Sequence, residues 1–297
     1  MNPITKILGA LRDTANHPIN RHRRFKAVLE YGFIQVAARL VPGDICVEFP
    51  NRTRLLVSPR MKGAAHYITP RLCEFEEMAF VMHFLRPGDM LADVGANVGA
   101  FTIMAAGVAG ARVVAFEASP DTFAMLARNI RLNDLQDRVR AIHAAAGRGE
   151  GQAFFSIGLG TENHIATGMA EGSLVTVKVT TLDKELAASP PNLLKVDVEG
   201  FETEVFAGAT NTLRQSGLRA ILVERNNLGL RYGFDENLLH REIQSCGFVP
   251  CQYEPFTRRL IPIGEQAQNN IIYARDIAAA NECLRTAPAF TLGNFSL

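Results

Sequence analysis

The stretch MLADVGANVGAFTIM, from Met90 to Met104, is the most informative part of this 297-residue chain for its fold. It begins as an apolar strand, turns at Gly95 and Gly99, and continues as an apolar helix. Glycines in such a turn let the backbone come close to a ligand. Asp93 places a carboxylate at the end of the strand, directly before the turn. The carboxylate therefore limits the ligands of this turn to those that tolerate a negative charge beside them.

Beyond this unit, strand-like and helix-like segments alternate. The runs ARVVAFEA, RVRAIHAAA, NLLKVDV and LRAILVE read as further strands, and amphipathic helical segments separate them. This rhythm predicts an α/β fold with a doubly wound, mostly parallel sheet and helices on both faces. The late segment NNIIYAR is predicted to be an edge strand.

Two regions stand outside the alternation. The pattern of residues 1–75 predicts an N-terminal extension that consists of amphipathic helices followed by a β-hairpin over DICVEFPNRTRLLV. The core domain is predicted over 76–280, with a β insertion at about 147–191 after the third strand and a tail over 281–297. The basic stretch NHPINRHRR between the first helices leaves two interpretations open, a helical cap on the core or a segment that docks on a membrane surface.

Composition narrows the functional classes. The chain has 31 basic and 30 acidic residues, a net charge of +1, which argues against nucleic acid as a partner. Its five cysteines are odd in number and lack zinc-site spacing, as expected of reduced thiols. No apolar run reaches the ~20 residues of a transmembrane helix, and the N-terminus lacks a signal core. We expect a cytoplasmic protein.

The glycine turn distinguishes between nucleotide ligands. Its G-x-x-x-G spacing differs from the G-x-G-x-x-G turn that packs a pyrophosphate against a helix. Asp93 would repel a pyrophosphate but attract an ammonium group, directly or through water. Glu117, at the end of the next strand, is placed to accept both hydroxyls of a ribose. Together these features predict S-adenosylmethionine.

Several blocks then carry a family resemblance: LCEFEEMAF, DVGANVG, FEASP, TLDKEL, LLKVDVEGFETEVFAGA and ILVERN. With them the chain resembles the FkbM family of methyltransferases from Asp44 to Arg275, and LLKVDVEGFE is the most specific block. The resemblance implies a Rossmann-like class I methyltransferase fold with a seven-stranded sheet. It also implies S-adenosylmethionine as donor and commonly a hydroxyl as acceptor, with sugars and natural-product scaffolds among the family's substrates.

The predicted cofactor-binding residues cluster around the strand ends. They are Glu74, Asp93, Gly95, Asn97, Gly99, Glu117, Ala118, Ala145 and Asp197. Many class I enzymes bind the adenine amino group with an acidic residue after the third strand, where this chain reads HAAAG. Adenine recognition is therefore expected from backbone groups and apolar packing.

Methyl transfer to a hydroxyl needs a positioned acceptor and a base. Glu199 resembles a family active-site position and is the first choice as base, with Glu202, Glu224 and the loop residue His164 as alternatives. Asp197 is predicted to position the acceptor or the methionine end of the cofactor. Structural roles also stay open: helix capping for Asp197, a first-turn charge for Glu202, and simple exposure for His164.

The acceptor is expected to be a small molecule or a saccharide, and a homodimer stays open. A divalent metal held by Asp197, Glu224 and Asn226 is an alternative that the sequence does not favour, since no contiguous metal motif is present. A nicotinamide-dependent oxidoreductase and a non-catalytic S-adenosylmethionine-binding module are the two rival functions.

Overall fold

An eight-stranded sheet forms the centre of the molecule. The structure is a computed structural model that describes residues 3–40, 43–58, 67–68, 72–158, 160–168, 173–264 and 270–297. The strands of the central sheet are β3 (Met90–Val94), β4 (Arg112–Glu117), β5 (Val139–His143), β9 (Leu193–Val196), β10 (Ala220–Val223), β11 (Val249–Glu254), β12 (Arg259–Pro262) and β13 (Ile271–Ala274).

The strands lie in the order β12-β11-β13-β10-β9-β3-β4-β5. The five strands from β10 to β5 are mutually parallel, and the other three join antiparallel. Parallel strands are covered on both faces, which explains why β10 reads as a continuous apolar run. The predicted doubly wound, mostly parallel sheet is confirmed.

Two details of the predicted sheet are wrong. The sheet has eight strands instead of seven, because a hairpin of β11 and β12 extends it. The NNIIYAR segment is not an edge strand, since β13 lies between β10 and β11. All four residues of β13 are buried, as a strand with two neighbours requires.

Helices cover both faces of the sheet. Their bounds are α1 (Pro3–Asn16), α2 (Arg24–Leu40), α3 (Phe75–Phe84), α4 (Ala100–Ile103, extended by a π-turn over Met104–Val108), α5 (Pro120–Leu132), α6 (Leu182–Leu186), α7 (Glu202–Ala207), α8 (Thr210–Arg214), α9 (Glu236–Ser245) and α10 (Ile277–Arg285). Within the described parts of the chain, no helix combines the length and the apolar character needed to cross a bilayer.

The predicted extension and insertion are both present. The N-terminal hairpin pairs β1 (Ile45–Glu48) with β2 (Arg54–Val57). The insertion is a separate three-stranded sheet of β6 (Ala145–Ala146), β7 (Gly151–Ile157) and β8 (Ser173–Thr180). Part of the glycine-rich loop between β7 and β8 lies outside the described residues.

Alternation along the strands sends side chains into two separate cores. In β3, Leu91 joins the core on one face and Val94 joins the core on the other. By the same alternation Asp93 and Lys195 point to the face of Leu91, and they are direct register partners on β3 and β9. The sheet thus places two opposite charges side by side in its buried interior.

The turn after β3 fits against the loop after β9 only because residue 95 is glycine. Gly95 has a φ of +77°, and a Cβ at this position would lie 1.8 Å from the backbone oxygen of Asp197. Both the left-handed backbone and the contact exclude a side chain. The two loops that carry Asn97 and Asp197 therefore meet backbone to backbone.

We expect Gly95→Ala to lower the free energy of unfolding by about 1–3 kcal/mol through overpacking, with a further loss from the left-handed backbone. Urea unfolding without ligand measures the change. The matched control is Gly217→Ala, because a Cβ there meets nothing within 4 Å; it should change stability by less than about 0.5 kcal/mol. Equal stability of the two variants would contradict the tight contact.

Candidate active site

A cavity of about 320 Å³ opens where β3, β4, β9 and β10 end. Ligands of open α/β sheets bind at the carboxyl ends of the strands, so the position is the expected one. The predicted cofactor residues that line this cavity are Glu74, Gly95, Asn97, Glu117, Ala118, Ala145 and Asp197. Of the predicted catalytic residues, Asp197, Glu199 and Glu224 line it as well.

Glu117 fixes the shape of the glycine turn. Its two carboxylate oxygens accept hydrogen bonds from the backbone N–H groups of Asn97 at 2.9 Å and Ser119 at 2.8 Å. Burial raises the pKa of Glu117 to about 7, although these two hydrogen bonds act in the opposite direction. One buried carboxylate thus joins the turn after β3 to the end of β4 and faces the cavity.

Two of the predicted cofactor-binding residues, Asp93 and Gly99, do not line the cavity. Asp93 is 0% exposed and does not line the cavity; it accepts a hydrogen bond of 2.6 Å from Thr102 Oγ1. Gly99, with a φ of +94°, packs at the start of α4, where a Cβ would lie 2.6 Å from Leu126 Cδ1. Both residues support the turn from behind.

Lys195 is a buried cation that the sequence interpretation missed. Its Nζ lies 3.0 Å from Asp197 Oδ2 and 3.8 Å from Asp93 Oδ1, and it is 4.9 Å from the centre of the Phe101 ring. Burial alone would lower the pKa of Lys195, but the carboxylates of Asp197 and Asp93 raise it, so the ammonium stays charged. The available signal was a lysine inside the apolar run LLKV, beside a strand that carries a buried aspartate.

The cavity wall is strongly acidic. Among the described residues that line it, none is lysine or arginine, and five are carboxylates: Glu74, Glu117, Asp197, Glu199 and Glu224. Burial, followed by the charge of Asp197, raises the pKa of Glu74 to about 8. A cavity with this lining attracts cations and repels phosphates.

Two further carboxylates of the lining, like Glu74 and Glu117, have pKa values at or above neutral pH. Burial, with the charges of Asp197 and Glu202, raises the pKa of Glu199 to about 7. Burial, with the charges of Asp197 and Glu199, raises that of Glu224 to about 9. Like charges at close range cannot all ionise. At pH values between about 7 and about 9, Glu199 is therefore ionised and able to accept a proton, while Glu224 stays protonated.

The loop after Asp197 has an unusual backbone. Glu199 has a φ of 56°, in the left-handed region that non-glycine residues rarely adopt, and Gly200 follows at 100°. Glu202 Oε1 holds this loop by accepting hydrogen bonds from the N–H groups of Val198 at 3.1 Å and Gly200 at 3.2 Å. Glu202 is 4% exposed and does not line the cavity, so its position fits support of Glu199.

His164 lies near the cavity rather than in it. Its neighbours Asn163 and Ile165 line the cavity, whereas His164 does not. The Nδ1 of His164 lies 2.8 Å from the backbone oxygen of Glu162, and its backbone N–H donates to Ser156 Oγ at 2.9 Å. These hydrogen bonds therefore hold the loop of His164 against β7.

The region predicted to surround adenine carries small apolar side chains. Ala144, Ala145 and Ala146 line the cavity beside Ala118 and Phe155. The neighbouring His143 points away and stacks on Phe123 with ring centres 4.6 Å apart. A flat aromatic base fits such a surface through backbone contacts and apolar packing.

Three carboxylates also lie close enough to bind a cation. Asp197, Glu199 and Glu224 each offer an oxygen, and these oxygens lie within 4.8 Å of one another. This set shares Asp197 and Glu224 with the metal alternative drawn from the sequence, and Glu199 takes the place of Asn226. Oxygen ligands of this kind suit Mg²⁺ or Ca²⁺.

Comparisons with known proteins agree with this picture. The model of the family "Methyltransferase FkbM domain" matches residues 93–250. Hexuronic acid methyltransferase AglP of Haloferax volcanii is 33% identical over 129 residues, 42% of this chain and 52% of that protein. Ribosomal protein L11 methyltransferase of Chloroflexus aurantiacus is 27% identical over 124 residues, 40% of this chain and 37% of that protein. The chain thus matches about half or less of the length of these relatives.

A solved structure described as methyltransferase FkbM from Methylobacillus flagellatus overlaps 84% of this chain and 60% of its own, with a TM-score of 0.43 and 13% identity. The strand order, the helices on both faces and the cavity at the carboxyl edge define a class I methyltransferase fold. Because the family model covers just over half of the chain, the protein belongs to the FkbM methyltransferase family.

The pairing of Lys195 with Asp93 gives a stability prediction. We expect Lys195→Met to lower the free energy of unfolding by about 3–5 kcal/mol, since it leaves a buried carboxylate without a counter-ion. Burial already raises the pKa of Asp93, and the loss of Lys195 raises it further. Because the folded state then binds the extra proton, the variant should recover stability as the pH falls.

Urea unfolding at about pH 8 and about pH 5 tests this sign. The matched double variant Lys195→Met/Asp93→Asn removes both charges and should regain much of the loss at the higher pH. A loss that is equal at both pH values, or additive in the double variant, would contradict a charge pair.

Proposed function

We propose that the protein transfers a methyl group from S-adenosylmethionine to a hydroxyl of a small molecule or saccharide. The acidic lining of the cavity carries this proposal, because it favours a ligand with positive charge. S-adenosylmethionine carries a sulfonium and an ammonium, whereas a nicotinamide dinucleotide carries a pyrophosphate. The rival oxidoreductase is disfavoured on the same ground.

The donor fits the described residues in three places. Glu117 projects from the end of β4, where a carboxylate accepts ribose hydroxyls, and its oxygens already have fixed positions. The alanines after β5 give the adenine a smooth apolar surface. Asp197 and Glu74 offer negative charge to the methionine ammonium. Asp93 contributes from behind, by fixing Lys195 and the turn.

When bound, S-adenosylmethionine supplies a methyl carbon that bonds to the acceptor oxygen as the carbon–sulfur bond breaks. The protein aligns the acceptor with that carbon and accepts the proton of the hydroxyl. Glu199 is the proposed base, because its pKa of about 7 leaves it largely ionised in mildly alkaline solution. Glu224, with a pKa of about 9, is placed to donate a hydrogen bond from its protonated carboxyl.

A saccharide acceptor has two supports. The relative from Haloferax volcanii is named a hexuronic acid methyltransferase. Aromatic rings also stand at the cavity: Phe201 lines it and contacts Tyr232 edge to face at 5.2 Å, and Tyr232 donates a hydrogen bond of 2.7 Å to the oxygen of Ile165. Aromatic faces pack against the apolar faces of sugar rings.

We expect Glu117→Gln to weaken the binding of S-adenosylhomocysteine at least about tenfold, because the amide loses one acceptor oxygen and its charge. Isothermal titration calorimetry measures the dissociation constant. The matched control Glu282→Gln changes an exposed glutamate that pairs with Arg285, and it should bind as the wild type does. Tight binding of NAD with no heat from S-adenosylhomocysteine would overturn the proposed donor.

Calorimetric titration with S-adenosylmethionine, whose sulfonium makes it a cationic ligand, should depend on pH. The pKa values of Glu117, Glu199 and Glu74 are raised to about 7, 7 and 8 in the free protein. A cationic ligand favours their ionised forms, so its affinity should increase with pH through this range, with release of protons. Affinity that is constant from about pH 6 to about pH 8.5 would contradict binding of a cationic ligand by these carboxylates.

For catalysis, we expect Glu199→Gln to lower kcat by about 10²–10⁴-fold while the dissociation constant of S-adenosylhomocysteine changes little. Wild-type activity with a hydroxylated acceptor should rise with pH through about 7 as Glu199 loses its proton. Glu204→Gln is the matched control, since Glu204 pairs with Arg148 outside the cavity lining. Unchanged turnover in Glu199→Gln would assign the role of base to Glu224 instead. Loss of turnover on addition of a chelator, restored by magnesium, would show that a metal ion activates the hydroxyl in place of a carboxylate base.

A further inference from the structure

The helix α2 has an apolar stripe that faces solvent. Phe25, Leu29, Phe33, Val36 and Leu40 are between 57% and 77% exposed. Their spacing of three or four residues places them on one side of the helix. The neighbouring Leu8 of α1 is 59% exposed as well. Among the described residues, half of the large apolar side chains that are exposed to solvent lie on α1 and α2.

The opposite side of α2 already has its packing partner. Ala27 is 0% exposed, and Ile34 packs against the main hydrophobic core. The helix therefore has two apolar sides, of which only the inner one is covered. A contiguous apolar stripe on a protein surface marks an interaction site, so a second surface is expected to cover the outer side.

The charge around this stripe indicates the chemistry of that surface. Residues 1–40 contain seven basic and two acidic side chains, a net charge of +5. The whole chain has a net charge of +1, so the remaining residues carry −4. Arg24 and Lys26, which flank Phe25, are both exposed. The positive charge of the protein is thus concentrated where its apolar surface is exposed.

We propose that α2 docks on an anionic lipid surface, with its apolar stripe buried among the acyl chains and its basic residues at the headgroups. Helices of this type lie in the plane of the interface, which agrees with the absence of a spanning helix among the described residues. Long basic side chains reach from such a helix back to the headgroups. A second copy of the chain fits less well, since it would place one +5 segment against another.

The test is co-sedimentation of the full chain with vesicles. The protein should bind vesicles that contain phosphatidylserine and bind pure phosphatidylcholine vesicles much less. Leu29→Ser/Phe33→Ser should weaken binding at least about tenfold through lost apolar burial. Arg24→Gln/Lys26→Gln should weaken binding to the anionic vesicles more than about tenfold, since each basic residue near such a surface contributes about fivefold.

The matched control is Leu238→Ser, because Leu238 is 53% exposed on another helix, α9. It should bind vesicles as the wild type does. Thermal unfolding should show that all variants fold, and binding of S-adenosylhomocysteine reports the methyltransferase site independently. No sedimentation of the wild type with anionic vesicles would overturn the proposal. So would light scattering of a wild-type dimer that Leu29→Ser/Phe33→Ser converts to monomers, since a second copy would then cover the stripe.

Discussion

The ion pair between Asp93 and Lys195 is the interaction on which the site depends. The two residues are register partners on the central parallel strands β3 and β9, beside the main hydrophobic core. Neither charge is stable there alone, because the cost of burying an unpaired ion is several kcal/mol. Lys195 also binds Asp197 at 3.0 Å, so the pair extends from the core to the cavity wall. The sheet thereby sets the position of the acidic site through a buried charge.

The electrostatics of the cavity follow from this arrangement. Lys195 is buried against Asp93, Asp197 and the ring of Phe101, and the described lining of the cavity contains no lysine or arginine. Burial, followed by the charge of Asp197, raises the pKa values of Glu74 and Glu224 to about 8 and about 9, and the described lining supplies too little positive charge to offset this. A cationic ligand would relieve the shortage that the folded chain creates. The burial of several carboxylates at one cavity thus accounts for the raised pKa values and supports the proposed choice of donor.

The sequence predicted the parts of the fold that depend on local pattern. The strand–glycine turn–helix unit at Met90, the hairpin before it and the inserted strands all have clear periodicity, and the structure contains them. It did not predict the place of Ile271–Ala274, because an apolar run of four residues does not reveal how many neighbours a strand has. The eighth strand was missed because Arg259–Pro262 is short and polar at its start.

The site shows the same division between local and long-range information. Glu117 and Asp197 were predicted because each lies at the end of a strand, and the ends of parallel strands meet at one edge. Asn97 was predicted because it lies in the glycine turn that follows β3. The direction in which Asp93 points could not be predicted, since it depends on which strand lies beside β3. Lys195 was missed for that reason, because a lysine within an apolar run has meaning only when its partner strand is known. Register, rather than composition, holds this information.

The backbone at Glu199 connects the fold to the proposed chemistry. A left-handed glutamate costs free energy of order 1–3 kcal/mol, and such outliers persist where the surroundings hold them. Here Glu202 supplies the restraint from beneath the loop, through the amides of Val198 and Gly200. The loop also packs tightly, since a Cβ at Gly200 would lie 2.6 Å from the backbone of Leu228. Glu199 is thus held at the cavity by its neighbours, which a proton acceptor needs if it is to meet a hydroxyl at a fixed distance.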